Sequence, residues 1–210
     1  NGNDMTKLLP GILAMAAIVV ASNILVQFLL GPWLTWGAFT YPFAFLVTDL
    51  TNRIQGAKAA RRVVLVGFAV GVVCSLIGSQ IMGEFGPLVS FRVAVGSGLA
   101  FLAAQLTDVA IFNRLRASAW WKAPLVSTLI SASLDTAIFF TLAFSAAFTA
   151  LEPANDVTWA GEMLPLLGLG PTAPLWVSLA IADWLVKLLL AIVALIPFRL
   201  IVSKLTARVA

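Results

Sequence analysis

Residues Pro124–Ala150 read PLVSTLISASLDTAIFFTLAFSAAFTA, a long apolar run with one ionisable side chain, Asp135. A helix rising about 1.5 Å per residue needs about 20 such residues to cross a hydrocarbon core about 30 Å thick. The run does not alternate apolar with polar, so it does not read as a strand of a membrane barrel. It reads as a transmembrane helix. Five more runs of the same kind flank it: Leu8–Leu30, Trp33–Thr51, Val63–Gly83, Phe91–Asn113 and Pro174–Leu200. The expectation is an all-α integral membrane protein, a single domain of six transmembrane helices. Composition agrees, with 61% of the 210 residues hydrophobic and 10% charged. Soluble domains carry about 25% charged residues. A cleaved signal peptide does not explain runs that recur to the C-terminus. Met5 reads as a native start, which leaves Asn1–Asp4 as a cloning remnant outside the reading.

The basic residues orient the helices. Arg53, Lys58, Arg61 and Arg62 fill the link between the second and third runs, and Arg114, Arg116 and Lys122 the link between the fourth and fifth. Lys7 precedes the first run, while Arg199, Lys204 and Arg208 close the last. The remaining links carry only acids: Glu84, Glu152, Asp156 and Glu162. The positive-inside rule then makes both termini cytoplasmic in a multi-pass protein of the inner, cytoplasmic membrane. The net charge of +4 is a topology signal, and no nucleic-acid partner is expected. The outer link Leu151–Ala173 reads as an outer lid or as a helix lying in the interface around Trp159–Leu169, and equally as an irregular loop.

Several chemistries are excluded. Histidine is absent and Cys74 is the single cysteine, so no Ser-His or Cys-His pair, HExxH zinc site or internal disulfide can form. There is no GxxxxGK[ST] phosphate loop, so any use of ATP would need a partner chain. No metal or cofactor is expected, and an enzyme is disfavoured.

The informative residues are polar groups within the apolar runs, because a charge at the bilayer centre costs at least about 2.5–3.5 kcal/mol. They are Asp49, Arg92, Asp108, Asp135, Asp183 and Lys187, with Asn23, Gln27 and Gln105 as uncharged companions. Asp135 is expected about 16 Å from the start of its helix, Asp183 about 14 Å and Lys187 about 20 Å from the start of theirs, all near the midplane. Asp49 and Asp108 fall near the cytoplasmic ends and Arg92 near the outer end, where snorkelling reduces the cost. Helical spacing groups Asp183 with Lys187, Gln105 with Asp108, Asn23 with Gln27, and Thr128 and Ser131 with Asp135. Such faces on several helices suggest one interior solute cavity, with Phe43, Phe45, Phe101, Phe139 and Trp184 as candidate walls. The same groups also read structurally, with Asp183–Lys187 as a neutralised pair and the amides as helix–helix glue. Gly67-x-x-x-Gly71 admits close helix contact with the same chain or with a second copy, so a homodimer stays open. Pro42 marks a kink or break in the second run.

The ordered set of these residues resembles the queuosine precursor transporters, the vitamin-uptake-transporter-like family. The resemblance runs from about Ser22 to Pro197. It is carried by Ser22-Asn23, Val26-Gln27, TWGAFTYPFAFLVTDLTNRIQG over Thr35–Gly56, Ala60-Arg61-Arg62, Arg92 and Ser97. It continues through Gln105-x-x-Asp108, Phe112–Arg116, Trp120-Trp121, Pro124, Ser127-Thr128, Asp135-Thr136, Asp183-x-x-x-Lys187 and Pro197. The resemblance implies import of the small molecules 7-cyano-7-deazaguanine and 7-aminomethyl-7-deazaguanine, salvaged for the tRNA nucleoside queuosine. The residues named above as intramembrane polar groups, with Phe45, are then the substrate-binding candidates. A carboxylate can accept the two N–H donors of a guanine-like edge, and amides can meet its carbonyl. The competing reading is a membrane-embedded binding subunit of an ATP-driven importer of vitamins or nucleobases. A purely structural membrane protein is disfavoured by the number of buried charges.

Overall fold

The computed structural model describes residues 2–208. Its helices are α1 (Gly2–Leu25), α2 (Gly37–Thr40), α3 (Phe43–Gln55), α4 (Ala57–Gln80), α5 (Phe91–Leu115), α6 (Lys122–Phe144), α7 (Leu175–Val193) and α8 (Leu195–Ala207). Three small antiparallel hairpins join them: β1–β2 (Leu29–Leu30, Leu34–Thr35), β3–β4 (Met82–Gly83, Gly86–Pro87) and β5–β6 (Met163–Pro165, Thr172–Pro174). Five helical segments are long and apolar enough to cross a membrane: Asp4–Leu25, Ala57–Gln80, Phe91–Leu115, Lys122–Phe144 and Leu175–Ala207. The last joins α7 to α8 through Ala194, which is itself helical. The chain is a multi-pass, all-α membrane protein.

Two open readings are decided. The run Trp33–Thr51 is not one uninterrupted helix. It opens in the β1–β2 hairpin and is divided at Tyr41–Pro42 into the four residues of α2 and the thirteen of α3. Pro42 has no N–H to donate, although both junction residues keep helical dihedrals. No α-helix forms over Trp159–Leu169 either. Pro165 interrupts the segment, which folds into short 3₁₀ turns and strand β5 of the β5–β6 hairpin. The hairpin lies on α7, with Leu167 N–H donating to Ser178 Oγ at 3.0 Å and Leu175 N–H to Glu162 O at 2.9 Å.

Burial is inverted relative to a soluble protein. Leu65, Val72, Val73, Leu76 and Ile77 of α4 and Leu185, Leu189, Ile192 and Ile196 of α7–α8 are exposed, as lipid-facing residues should be. Asp49, Arg92, Gln105, Asp108, Asp135 and Lys187 are buried. One apolar cluster, around Met15, Val47, Val63, Phe101 and Val109, joins α1, α3, α4 and α5. Another, Phe112, Ala123 and Phe198, joins α5, α6 and α8.

Arginines close the helix ends. The Arg92 guanidinium donates to the carbonyls of Leu142 (2.9 Å) and Ser145 (2.6 Å), satisfying the exposed acceptors at the end of α6. At the opposite end, α3 and α5 clasp each other. Arg53 Nη1 donates to Arg116 O at 2.9 Å, while Arg116 donates to the carbonyls of Asn52 and Arg53. Arg53 also stacks over the Phe112 ring, 5.0 Å from its centroid.

Glycines set the closest helix approaches. A Cβ on Gly67 would lie 2.7 Å from Met15 Cγ and 2.9 Å from Phe101, and one on Gly71 would lie 3.6 Å from Val19. Both glycines of the Gly67-x-x-x-Gly71 motif therefore face α1 of their own chain. Gly37 is tighter in kind, since its Cβ would meet the Val26 main-chain nitrogen at 2.9 Å and Ser22 O at 3.1 Å. Backbone cannot swing aside as a methionine can. Gly37→Ala is expected to destabilise the detergent-solubilised protein by roughly 1–3 kcal/mol, as overpacking does, and Gly71→Ala to be close to neutral. Thermal unfolding of the two variants checks this, and equal midpoints would contradict it.

Candidate functional site

The site is a polar column between α3, α5, α6 and α7. Helices α5 and α6 run antiparallel in a register fixed at three points. Arg92 meets Leu142 and Ser145, a Cβ on Gly96 would meet Phe139 O at 3.3 Å, and Thr128 Oγ1 lies 3.5 Å from Asp108 Oδ1. The same register brings Gln105 level with Ser131. Polar residues one turn apart on each helix thus stack into three layers.

The first layer is an ion-paired triad. Lys187 Nζ lies 2.6 Å from Asp135 Oδ2 on α6 and 2.7 Å from Asp183 Oδ2 one turn back on α7. Its third hydrogen goes to Thr136 Oγ1 at 3.0 Å, and that hydroxyl donates onward to Asp183 Oδ2 at 2.9 Å. An ammonium has three donors, and all three are used. Two carboxylates on one ammonium leave the triad with a formal charge of −1. Asp183 is its more accessible member, with a side chain 15% exposed against 5% for the other two.

The middle layer holds unspent hydrogen-bonding capacity. Thr48 Oγ1 lies 2.6 Å from Gln105 Oε1 and 3.0 Å from Ala44 O of its own helix, and Gln105 Nε2 is buried without a protein partner. Ser131 Oγ is likewise buried and unpartnered. Phe45 packs here against Ala104 and Ala132, whose small side chains leave room for its ring.

The third layer joins two carboxylates. Thr128 Oγ1 lies 3.1 Å from Asp49 Oδ2 and 3.5 Å from Asp108 Oδ1, and Ser127 Oγ lies 3.5 Å from Asp49 Oδ1. Asp108 Oδ2 has no partner. Asp49 and Thr128 border a narrow cleft whose other walls are Pro42, Phe45, Leu46 and Pro124 on one side and Leu190, Ala191, Ala194, Leu195 and Phe198 on the other. The cleft measures about 20 Å³, room for roughly one water molecule and not for a bicyclic base.

Several sequence candidates fall outside the column. Arg92 serves the end of α6, and its main-chain N–H donates to Glu152 at 3.0 Å. Asn23 is half-buried and donates to Val19 O of its own helix at 2.8 Å. Gln27 does not share a helical face with Asn23, because α1 ends at Leu25 and Gln27 is exposed in the following turn. Phe43 and Trp184 point outward, the latter donating to Ser133 Oγ at 2.8 Å. Conversely, spacing gave no signal for Thr48 and Thr136. Threonine in such a helix ordinarily bonds its own backbone, and only the fold shows that these two also bridge between helices.

A column of charged and amide groups sealed inside an apolar helical shell is the build of a membrane protein that handles a polar solute. Residues 35–202 match the family described as "Putative vitamin uptake transporter", and the chain belongs to that family. It is 36% identical over 208 residues to the "Queuosine precursor transporter" of Escherichia coli (strain K12), covering 92% of this chain and 85% of that protein. It is 33% identical over 174 residues to the "Probable queuosine precursor transporter" of Haemophilus influenzae, covering 78% of this chain and 66% of that protein. A relative of the same name from Bacillus subtilis (strain 168) is 26% identical over 195 residues, covering 84% of this chain and 74% of that protein. No solved structure matches.

Lys187 serves both Asp135 and Asp183, so the triad is not the local pair that spacing suggested. Lys187→Met should destabilise the protein by roughly 3–5 kcal/mol by stranding buried charge. Adding Asp183→Asn should not restore abundance, because Asp135 stays uncompensated. The triple change Asp135→Asn, Asp183→Asn, Lys187→Met should restore it. Immunoblots of membrane fractions measure this, and full recovery in the double variant would refute the sharing.

Proposed function

We propose that this chain imports queuosine precursors, 7-cyano-7-deazaguanine or 7-aminomethyl-7-deazaguanine, across the cytoplasmic membrane. The identity with relatives of that name supports the substrate class. The observation that carries the site is the pair of buried, unpartnered groups one turn apart on α5, the Gln105 Nε2 donor and the Asp108 Oδ2 acceptor. A guanine-like edge offers the complement, a carbonyl beside N–H donors. Gln105 would meet the ring carbonyl, a carboxylate of the column the N–H groups, and Phe45 the ring face. Asp183, with its accessible oxygen, suits the cationic aminomethyl group. Such polar matching discriminates well, because a substrate lacking the group leaves a buried polar atom unsatisfied. The reading as a binding subunit of an ATP-driven importer has no observation in its favour.

The topology we propose has six crossings, with α2 and α3 together forming the second. Gln55 Nε2 at the end of α3 donates to Lys7 O near the start of α1 at 2.8 Å, which supports a common side for both. The Arg53–Arg116 clasp adds the end of α5 to that side, and the positive-inside rule makes it cytoplasmic. Reporter fusions after Lys58, Arg116 and Arg208 should report cytoplasm, and fusions near Pro87 and Asn155 the outside. An outward C-terminus would overturn the six-crossing arrangement.

Uptake is tested in cells lacking both precursor synthesis and their own importer, with queuosine in tRNA as the readout. The chain should restore it. Gln105→Met, which keeps length but removes the donor, should lower apparent affinity about ten- to a hundred-fold at unchanged membrane abundance, the effect of about 1.5–3 kcal/mol. Wild-type affinity in that variant would remove Gln105 from the site.

A further inference from the structure

The layer formed by Asp49 and Asp108 differs from the triad in one respect: it contains no cation. Among the described residues, the only ion pairs within 4 Å are the two made by Lys187. Asp49 is 3% exposed and Asp108 is fully buried. The groups around them are accountable helix by helix. On α3 the next charge is Arg53, one turn on, which forms no ion pair with Asp49 within 4 Å; its Nη1 donates to Arg116 O, its plane lies over the Phe112 ring, and its Nη2 is buried without a partner. On α5 Arg116 is spent on α3 carbonyls. Helix α6 offers only the hydroxyls of Ser127 and Thr128, and α7–α8 offer only apolar side chains to the adjoining cleft.

The hydrogens do not suffice for two ionised carboxylates. The Thr128 hydroxyl has one hydrogen, yet its oxygen lies within hydrogen-bond reach of both acids. Given to Asp49 at 3.1 Å, that hydrogen leaves the 3.5 Å approach to Asp108 as a contact between two acceptors. A proton on Asp108 turns it into a donated hydrogen bond. Like charges this close and this dry do not both ionise. Gln105 Nε2, buried and unpartnered one turn away, sits at the same junction of α3, α5 and α6.

We propose that Asp49 and Asp108 share one proton and that its release to the cytoplasmic side couples solute import to the proton gradient. The proposal rests on the transport reading above. Asp49 borders the cleft while Asp108 lies behind it, so parting the cleft walls would wet Asp49 and let both acids ionise. Closure would dry the dyad and again require the proton. A cycle that binds the proton from the outer side and loses it to cytoplasmic water moves one proton inward per turnover, with no bond to the solute made or broken.

The test uses purified full-length protein. Infrared spectra at neutral pH should show the carbonyl stretch of a protonated carboxylic acid, lost in Asp49→Asn and in Asp108→Asn. In proteoliposomes, labelled 7-cyano-7-deazaguanine should show counterflow at equal pH. An acid-outside gradient of one pH unit should raise its accumulation up to about tenfold for one proton per neutral solute. Both variants should lose the gradient-driven accumulation. Wild-type counterflow with no response to the gradient, or no protonated-acid band, overturns the dyad and leaves the transporter intact. Gradient-driven accumulation in either variant overturns it as well. Absent wild-type counterflow would instead defeat the transport reading. Should a variant fail to fold, the wild-type spectrum and gradient response still decide.

Discussion

Everything in the centre of this molecule depends on giving Lys187 three acceptors. An ammonium taken out of water loses hydration worth several kcal/mol even after relaxation, and the low-dielectric interior returns that only when every donor is satisfied. Asp135, Asp183 and Thr136 meet the requirement from two helices. This fixes the rotation of α7 about its axis, because Lys187 must face α6. With that rotation set, Leu185, Leu189 and Ile192 face outward. The lipid-facing surface of α7 follows from its charge.

Helices in lipid gain little from apolar contact with each other, since the tails are as apolar as leucine. Their positions must come from close packing and polar contact. Both are present, in different places. Gly37 and Gly67 bring α2 and α4 to within backbone or side-chain contact of α1. The α3–α5–α6–α7 side is held by hydrogen bonds instead: Thr48 to Gln105, Asn52 Nδ2 to Val109 O at 3.2 Å, and the triad. The column of unspent polar atoms lies on the α3–α5–α6–α7 side.

This division explains what the sequence disclosed. Length and apolarity identify the spans, since bilayer thickness demands them whatever the tertiary structure. Shared faces within one helix were also legible: Asp183 pairs with Lys187, while Gln105 with Asp108, and Thr128 with Ser131 and Asp135, are buried together. Contacts between helices were not. Nothing in the spacing of Asp135 says that it meets Lys187, or that Thr48 rather than a solute holds Gln105. Arg92 illustrates a different limit. A buried cation near a helix end has two uses, a ligand or a set of orphan carbonyls, and only the position of α6 decides between them. Gln27 shows a local limit, because its four-residue spacing from Asn23 runs past the helix that stops at Leu25.

The narrow cleft raises the question of which interface can part. Separating α6 from α7 would pull Lys187 from Asp135 and strand buried charge on both sides, so these two helices must move together. Parting α5 from α6 would expose the carbonyls that Arg92 covers. The cleft walls differ. Pro42, Phe45 and Leu46 on one side face Leu190, Ala191 and Leu195 on the other, with no hydrogen bond across. Apolar surfaces in a bilayer can exchange each other for lipid at small cost, since no burial from water is lost. The seam between α3 and the α7–α8 helix is therefore the cheapest to open, and it is the seam behind which the middle layer and Asp49 lie. A helix already broken at Tyr41–Pro42 borders it, so that bending there need not break an intact helical ladder.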